Sequence, residues 1–159
     1  MNLVLIGYRG TGKSTVAKLL AKKLGMDVVS LDQEVVRHAA RSIPEIVAEH
    51  GWPRFRDLEC EATKRLSEHD NIIIDAGGGV VMRPENVENL RRRGKLFWLR
   101  ASVPVIIERI EAGTERPPLT AGKSFTQEVE EVLRERTPLY AAAAHYEVDT
   151  DACSPEEVA

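Results

Sequence analysis

Residues Gly7-Tyr8-Arg9-Gly10-Thr11-Gly12-Lys13-Ser14 decide the fold, because they fill every position of the phosphate-binding pattern G-x-x-x-x-G-K-[ST]. The stretch lies between an apolar run and a segment with helical periodicity. Its glycines let successive backbone N–H groups converge on an anion, and the following helix adds the positive end of its dipole. A glycine-rich turn that merely precedes a helix is the alternative, and the complete match disfavours it. The stretch predicts a P-loop that binds a nucleoside triphosphate.

The side chains of this loop have predicted partners. Lys13 can reach the outer phosphates, and the Ser14 hydroxyl can ligate Mg²⁺. The predicted contacts for the triphosphate are Gly10, Thr11, Gly12, Lys13, Ser14 and Thr15.

Composition restricts the function classes. A chain of 159 residues, with 43% hydrophobic and 30% charged residues, is typical of one globular domain. Its net charge of −3 argues against nucleic acid as the main partner. Cys60 and Cys153 lie far apart and read as free thiols in a reducing compartment. Because the apolar runs are too short to span a bilayer, we expect a cytoplasmic enzyme with neither nucleic acid nor membrane as partner.

Short apolar runs alternate with helical patterns along the chain, which predicts a parallel sheet wrapped by helices. Predicted strands cover residues 3–6, 28–30, 72–75, 96–99 and 146–148. The first predicted helix begins at Lys13 and is closed by Gly25, and the second follows an N-cap at Ser42. Further helices are predicted from Pro53 to about residue 68, from Pro84, from near Ser102 and from Phe125. Pro138 is expected to kink or break the helix that begins at Phe125. The residues Ser154-Pro155-Glu156 predict the start of a final helix. Residues 111–124 carry prolines and glycines without apolar periodicity, which predicts a functional loop, either a lid or a binding segment.

Asp32 follows the second predicted strand. In open α/β sheets ligands bind outside the carboxyl ends of the strands, so this carboxylate is expected to face the crevice above the P-loop. There it can orient a substrate hydroxyl or accept its proton. The alternative is an N-cap for the next helix, and the residues alone leave both open.

Gly77-Gly78-Gly79 follows the third predicted strand and exposes backbone to a ligand, although a plain flexible connection has the same composition.

Several arginines add a second signal. Arg56 and Glu59, three residues apart, lie on one helical face and can pair. Arg116 heads Arg-Pro-Pro-Leu, and Arg136 opens Arg-Thr-Pro-Leu-Tyr. Arginine forks match carboxylate and phosphate geometry, whereas Arg91, Arg92 and Arg93 read as a solvated helix end.

These motifs together resemble the shikimate kinase family over nearly the whole chain: G-x-x-G-x-G-K-S, an Asp after strand two, S-I-x-E-I, F-R-x-x-E, G-G-G, R-P-x-L and R-x-P-x-Y. The resemblance implies phosphorylation of the 3-hydroxyl of shikimate by ATP with Mg²⁺, in the chorismate pathway to aromatic amino acids. It also implies a P-loop NTPase-type α/β/α sandwich of the nucleoside-monophosphate-kinase kind. We expect a five-stranded parallel sheet, one domain over residues 1–159, a mobile lid at about 112–124 and a monomer.

Site roles carry over from the resemblance residue by residue. Lys13, Asp32 and Arg116 are the expected catalytic residues, with Asp32 holding the shikimate hydroxyls and Arg116 swinging from the lid over the phosphates. Arg56 and Arg136 match the pair that grips the carboxylate. The remaining expected contacts are Gly77, Gly78 and Gly79 on the substrate side, and Arg109 and Pro155 beside adenine.

One position departs from the family pattern. The family usually has Asp-x-Asp after strand two, and the first Asp helps to hold Mg²⁺ through water, but here that position is Ser30. Asp75 stands two residues before the glycines, where the family often has Ser or Thr. We hypothesise an exchange, in which Asp75 supplies the carboxylate that Ser30 lacks. The alternative is that Asp75 only caps the end of its strand.

Two rival functions share the P-loop. A gluconate kinase or a nucleoside-monophosphate kinase would also carry a lid, but the arginine pair with the glycine triplet favours a cyclic hydroxy acid over a nucleotide. A nucleotide-dependent switch protein normally shows Asn-Lys-x-Asp for guanine, and this chain has no such motif.

Overall fold

Parallel strands form a sheet with helices on both faces, as the alternating pattern predicts. The computed structural model describes residues 1–111, 125–151 and 153–159. The strands are β1 (Asn2–Ile6), β2 (Asp27–Ser30), β3 (Ile72–Asp75), β4 (Gly94–Arg100) and β5 (Tyr146–Asp149). The helices are α1 (Lys13–Leu24), α2 (Leu31–Ala39), α3 (Ile43–Ser67), α4 (Pro84–Arg93), α5 (Val103–Glu111), α6 (Phe125–Ala143) and α7 (Pro155–Val158). The five predicted strands are confirmed, each within two residues of its predicted bounds.

The sheet order is β2-β3-β1-β4-β5, and every pair is parallel. β1 therefore lies in the centre, with β3 on one side and β4 on the other. Leu5 pairs with Asp75 of β3, and Ser30 of β2 pairs with the same Asp75. Because parallel strands end at one edge of the sheet, the segments that leave β1, β2 and β3 start side by side.

Side chains of the central strands alternate between two apolar cores. On one face Val4, Ile6 and Trp98 pack with Phe55 and Tyr140 from α3 and α6. On the other face a smaller core joins the sheet to α1, with α7 packed against it; its buried members are Leu5, Val16, Ala17, Ile73 and Leu99. The sheet is thus covered on both sides, which is the usual condition for parallel strands.

The structure decides one open alternative and two predicted helix limits. Ser30, not Asp32, caps α2, because the Ser30 hydroxyl accepts a hydrogen bond from the Gln33 N–H at 3.3 Å. The Ser42 cap is confirmed, and so is the separate helical part predicted from Pro53 to about residue 68, because α3 has a non-helical residue at Gly51 and then continues to Ser67. The predicted break at Pro138 is wrong, because α6 runs on to Ala143, where packing of the buried Tyr140 and Ala143 outweighs the missing N–H.

Gly51 divides α3 into two helical parts. Its φ of 79° and ψ of 171° are non-helical and lie in a region that is open only to glycine. The part after the kink carries Phe55, Arg56 and Glu59 into the molecule, and Phe55 and Glu59 are buried. The direction of that part therefore depends on one backbone conformation.

No helix in the described part of the chain has the length and apolar character needed to cross a membrane.

We predict that Gly51→Ala lowers the free energy of unfolding by about 1–3 kcal/mol, because a Cβ is strained at this φ and ψ. Urea unfolding measures the change. Gly25→Asn is the matched control, since Gly25 has the left-handed φ of 65° and ψ of 33° that asparagine tolerates. Equal losses in both variants would contradict the prediction.

Candidate active site

A cavity of about 830 Å³ opens at the carboxyl edge of the sheet. It brings together the P-loop, the start of α2, the end of β3 and the C-terminal residues. The predicted site residues that line it are Gly10, Thr11, Gly12, Lys13, Ser14, Thr15, Asp32, Asp75, Gly77, Gly78, Arg109 and Pro155. Segments that are far apart in the sequence thus share one cleft, as their positions after parallel strands predict.

The P-loop is held in shape by its own side chains. Lys13 Nζ donates to the carbonyl oxygens of Gly7 at 2.7 Å and Tyr8 at 3.1 Å, and the Thr11 hydroxyl donates to Tyr8 O at 2.8 Å. These bonds consume carbonyl oxygens and leave the loop's N–H groups for an anion. The ammonium group of Lys13 adds a positive charge at the same place.

Arg109 ties the P-loop to the segment after β5. Its guanidinium donates to Gly10 O, to Thr150 Oγ1 and to Thr150 O, each at 3.2 Å. Pro155 lies on the same side of the cavity, together with Cys153 and Val158. Sequence reasoning did not identify Thr150, Cys153 and Val158 as cavity residues, because no motif marks them.

Asp75 joins the end of β3 to the start of α1. Its Oδ2 atom accepts a hydrogen bond from the Ser14 hydroxyl at 2.6 Å, and the residue is 8% exposed. Burial raises the pKa of this carboxyl above its usual value, and the nearby Asp32 adds to the rise; the Lys13 charge and the Ser14 hydrogen bond oppose it. The carboxylate is therefore held beside the P-loop hydroxyl at an energetic cost to the free protein.

The donor set around Ser14 fits Mg²⁺. A hydroxyl and a carboxylate lie in contact there, and hard oxygen ligands are those that Mg²⁺ prefers. No group of three or more His, Cys, Asp or Glu side chains suited to a metal ion occurs within residues 1–111, 125–151 and 153–159. Mg²⁺ at this place would take most of its ligands from phosphate oxygens and water, which is its usual habit with nucleotides.

The glycine run lies against charged side chains. A methyl group on Gly77 would lie 2.9 Å from both Asp32 Oδ1 and Glu59 Oε2. The guanidinium of Arg56 lies directly against Gly79, so a side chain at Gly79 would displace it. Gly77 and Gly79 therefore allow these charged groups to approach the backbone closely, which favours the ligand-side interpretation over a plain flexible connection.

Arg56 is fixed on three sides. Its Nη1 atom pairs with Glu59 Oε1 at 3.1 Å, which confirms the predicted ion pair. Its guanidinium also lies 5.4 Å and 5.2 Å from the ring centroids of Trp52 and Phe55, within cation–π range. Since Glu59 is only 1% exposed, the charge of Arg56 is needed to offset a buried carboxylate.

Three predicted substrate contacts lie beside the main cavity rather than in its wall. Arg56, Gly79 and Arg136 are absent from the lining, although Gly77 and Gly78 belong to it. The Arg136 Nη1 atom lies 3.4 Å from the position of a Cβ on Gly78, and Arg136 is 6% exposed. Arg116 and the predicted lid, residues 112–124, lie outside the described residues.

Sequence reasoning missed one contact that ends in this site. The Tyr140 hydroxyl donates to Gly78 O at 2.5 Å. The signal was present in the motif R-x-P-x-Y, whose last residue is Tyr140, but nothing in the sequence indicates which backbone group this hydroxyl meets.

Comparison with known proteins gives one consistent result. The family model described as shikimate kinase matches residues 9–159. A shikimate kinase from Thermodesulfovibrio yellowstonii is 44% identical and one from Nitratidesulfovibrio vulgaris is 42% identical; the alignments cover 99% and 97% of this chain, and 90% and 91% of those proteins. The solved structure of a shikimate kinase from Acinetobacter baumannii in complex with shikimate is similar with a TM-score of 0.91 and 30% identity, covering 98% of this chain and 86% of that one.

We predict that Asp75→Asn makes the free protein more stable near neutral pH. The pKa of Asp75 is raised in the folded state, so the folded protein holds its proton to a higher pH than the unfolded chain does. Stability is therefore lost as pH rises from the ordinary carboxyl pKa through the folded pKa, and asparagine avoids this loss while it can still accept the Ser14 hydrogen bond.

Urea unfolding over a pH series measures the effect. The gain should shrink as pH falls below the ordinary carboxyl pKa, where Asp75 is protonated in both states. Asp27→Asn, at an exposed carboxylate of β2, is the control. A gain that does not depend on pH would contradict the assignment to ionisation.

Proposed function

The chain belongs to the shikimate kinase family, and from this membership we propose how its residues carry out the transfer. The enzyme phosphorylates the 3-hydroxyl of shikimate with ATP and Mg²⁺, giving shikimate 3-phosphate and ADP in the chorismate pathway. Little covalent chemistry falls to the protein in such a transfer, so its contribution is to position the reactants and to offset charge.

The acid side of the site is proposed to grip shikimate at both ends. Arg56 and Arg136 would bind its carboxylate, since their guanidinium groups lie against the neighbouring residues Gly79 and Gly78. Asp32, next to Gly77, would hold the ring hydroxyls and orient the 3-hydroxyl. A small acid with vicinal hydroxyls needs cations at one end and a carboxylate at the other, and the glycine run separates these two groups.

The phosphate side is proposed to consist of the P-loop with its flanks. Backbone N–H groups of residues 10–15 would hold the β- and γ-phosphates, and Lys13 would move from its carbonyl partners to the outer oxygens. Arg109 and Pro155 would flank adenine, because both line the same cavity as the P-loop. Arg116 and the lid remain predictions.

One observation carries this assignment: Gly78 lies close both to Arg136, on the proposed shikimate side, and to the backbone of the P-loop. A Cβ at Gly78 would lie 3.4 Å from Arg136 Nη1, 3.5 Å from Gly7 O and 3.6 Å from Arg9 N. The Arg136 guanidinium and the P-loop backbone therefore approach the same point beside Gly78, and a carboxylate held by Arg136 would lie close to the P-loop. That spacing supports direct transfer from ATP to a hydroxyl of the bound acid.

The exchange between Ser30 and Asp75 is proposed as this chain's way of holding Mg²⁺. The two residues are register partners in β2 and β3, so a carboxylate at either position stands at the same depth along the sheet. Asp75 also contacts the hydroxyl of Ser14, the expected metal ligand. When bound, Mg²⁺ supplies positive charge to the phosphate oxygens; Asp75 would orient the water and hydroxyl around it. The Ser14 bond argues against the alternative that Asp75 only ends its strand.

We also propose a single-domain monomer over residues 1–159 in the cytoplasm, without nucleic acid as a partner. Net charge −3 and two free cysteines among the described residues support this assignment.

The activity itself is tested by coupling ADP release to a spectroscopic signal with ATP, Mg²⁺ and one acceptor at a time. We expect turnover with shikimate, and little with gluconate or AMP. Comparable turnover with gluconate or AMP would overturn the acceptor assignment.

We predict that Arg56→Lys raises the KM for shikimate roughly 10–100-fold, because lysine keeps the charge that Glu59 needs but loses the fork that matches a carboxylate. The KM for ATP should change little. Arg54→Lys, at an exposed arginine of the same helix, is the control. An unchanged KM for shikimate would rule out the carboxylate role of Arg56.

We predict that Asp75→Asn raises the Mg²⁺ concentration for half-maximal turnover roughly 10–100-fold, the usual range for loss of a residue that orients metal ligands. Adding Ser30→Asp should recover most of the loss, because it restores the carboxylate on the neighbouring strand. Aspartate is as good an N-cap as serine, so α2 should keep its start. Turnover is measured over a Mg²⁺ series for both variants, and failure of the second substitution to restore the Mg²⁺ response would contradict the exchange.

A further inference from the structure

Tyr140 places a hydroxyl group next to the residues that are proposed to bind shikimate. The residue is fully buried, and its hydroxyl donates to Gly78 O at 2.5 Å. Its ring packs against Trp98, with centroids 5.6 Å apart. Tyr140 does not line the cavity described above, and the proposed function gives its hydroxyl no role.

Arg136 lies one helical turn before Tyr140 on α6, on the same face. Burial raises the pKa of Tyr140 to about 12, although the charge of Arg136 and hydrogen bonding to it act in the opposite direction. The phenol therefore stays protonated at neutral pH. Its proton goes to Gly78 O.

Gly78 connects the Tyr140 hydroxyl to the proposed binding residues. Arg136 Nη1, Gly7 O and Arg9 N all lie within 3.6 Å of the position that a Cβ on Gly78 would take. Its neighbour Gly79 lies against the guanidinium of Arg56. The Tyr140 hydroxyl thus holds a backbone segment that lies against both arginines of the proposed carboxylate pair and close to the P-loop.

We propose that Tyr140 is a positioning residue, whose hydroxyl holds Arg136 and the Gly77-Gly78-Gly79 backbone in one relative geometry, so that the acceptor's carboxylate is bound at a fixed distance from the phosphates. The inference rests on the proposed binding of the carboxylate by Arg136. Without the hydroxyl, Gly78 O loses a buried donor, so the glycine backbone that lies against Arg136 is free to shift. The cost should appear in binding of the acid rather than in binding of ATP.

Tyr140→Phe isolates the hydroxyl, because phenylalanine keeps the ring that packs against Trp98. We expect the KM for shikimate to rise about tenfold, because Gly78 loses a buried hydrogen bond and can shift beside Arg136, while the KM for ATP stays within about twofold. Tyr146→Phe removes a hydroxyl from an exposed tyrosine of β5 and is the control. Thermal unfolding of each variant separates a loss of stability from a loss of affinity.

A double-mutant cycle with Arg136→Lys tests whether the hydroxyl acts through the arginine. If it does, Tyr140→Phe should weaken shikimate binding much less in the Arg136→Lys background than in the original chain. Additive effects of the two changes, or a Tyr140→Phe variant that is less stable but has an unchanged KM for shikimate, would overturn the inference.

These experiments distinguish failure of the Tyr140 role from failure of the proposed function. If Arg136→Lys alone leaves the KM for shikimate unchanged, Arg136 does not bind the carboxylate, and the positioning role falls with that assignment. If Arg136→Lys raises the KM and Tyr140→Phe does not, only the role of Tyr140 is lost.

Discussion

Backbone crowding where β1 ends is the constraint on which the rest of the structure depends. A Cβ on Gly7 would lie 2.5 Å from the carbonyl oxygen of Leu99 on β4, so the chain leaves β1 in direct contact with its neighbour. Only glycine fits there. The sheet therefore fixes the direction in which the P-loop leaves β1. Carbonyl oxygens of this loop accept hydrogen bonds from Lys13, while its N–H groups remain available for an anion.

The strand order then decides which residues meet the P-loop. β3 lies next to β1, and so Asp75 and the glycine run arrive beside Lys13 and Ser14 without any long loop. β2 lies one strand further, which brings Asp32 to the other side of Gly77. The segments that carry the two proposed substrate sites are adjacent because they follow neighbouring parallel strands.

Local chemistry was readable in the sequence, and long-range contacts were not. The P-loop, the limits of α1, the Ser42 cap and the Arg56–Glu59 pair follow from patterns spanning a few residues. By contrast, the Ser14–Asp75 and Tyr140–Gly78 bonds join residues 61 and 62 positions apart. They depend on strand order, which apolar periodicity does not reveal.

The local errors have a similar cause. Pro138 was expected to interrupt its helix, but buried neighbours such as Tyr140 keep α6 in place beyond it. Ser30 and Asp32 are both good helix caps, and which of them caps α2 depends on where β2 ends. Tertiary packing overrides local propensity at such positions.

The pairing of Ser30 with Asp75 in adjacent strands has an evolutionary consequence. A lineage that moves its acidic residue from one strand to the other passes through an ancestor with two acids or with none. Two acids side by side would repel each other and tend to share a proton, whereas an ancestor with neither would avoid that repulsion but hold the metal less firmly.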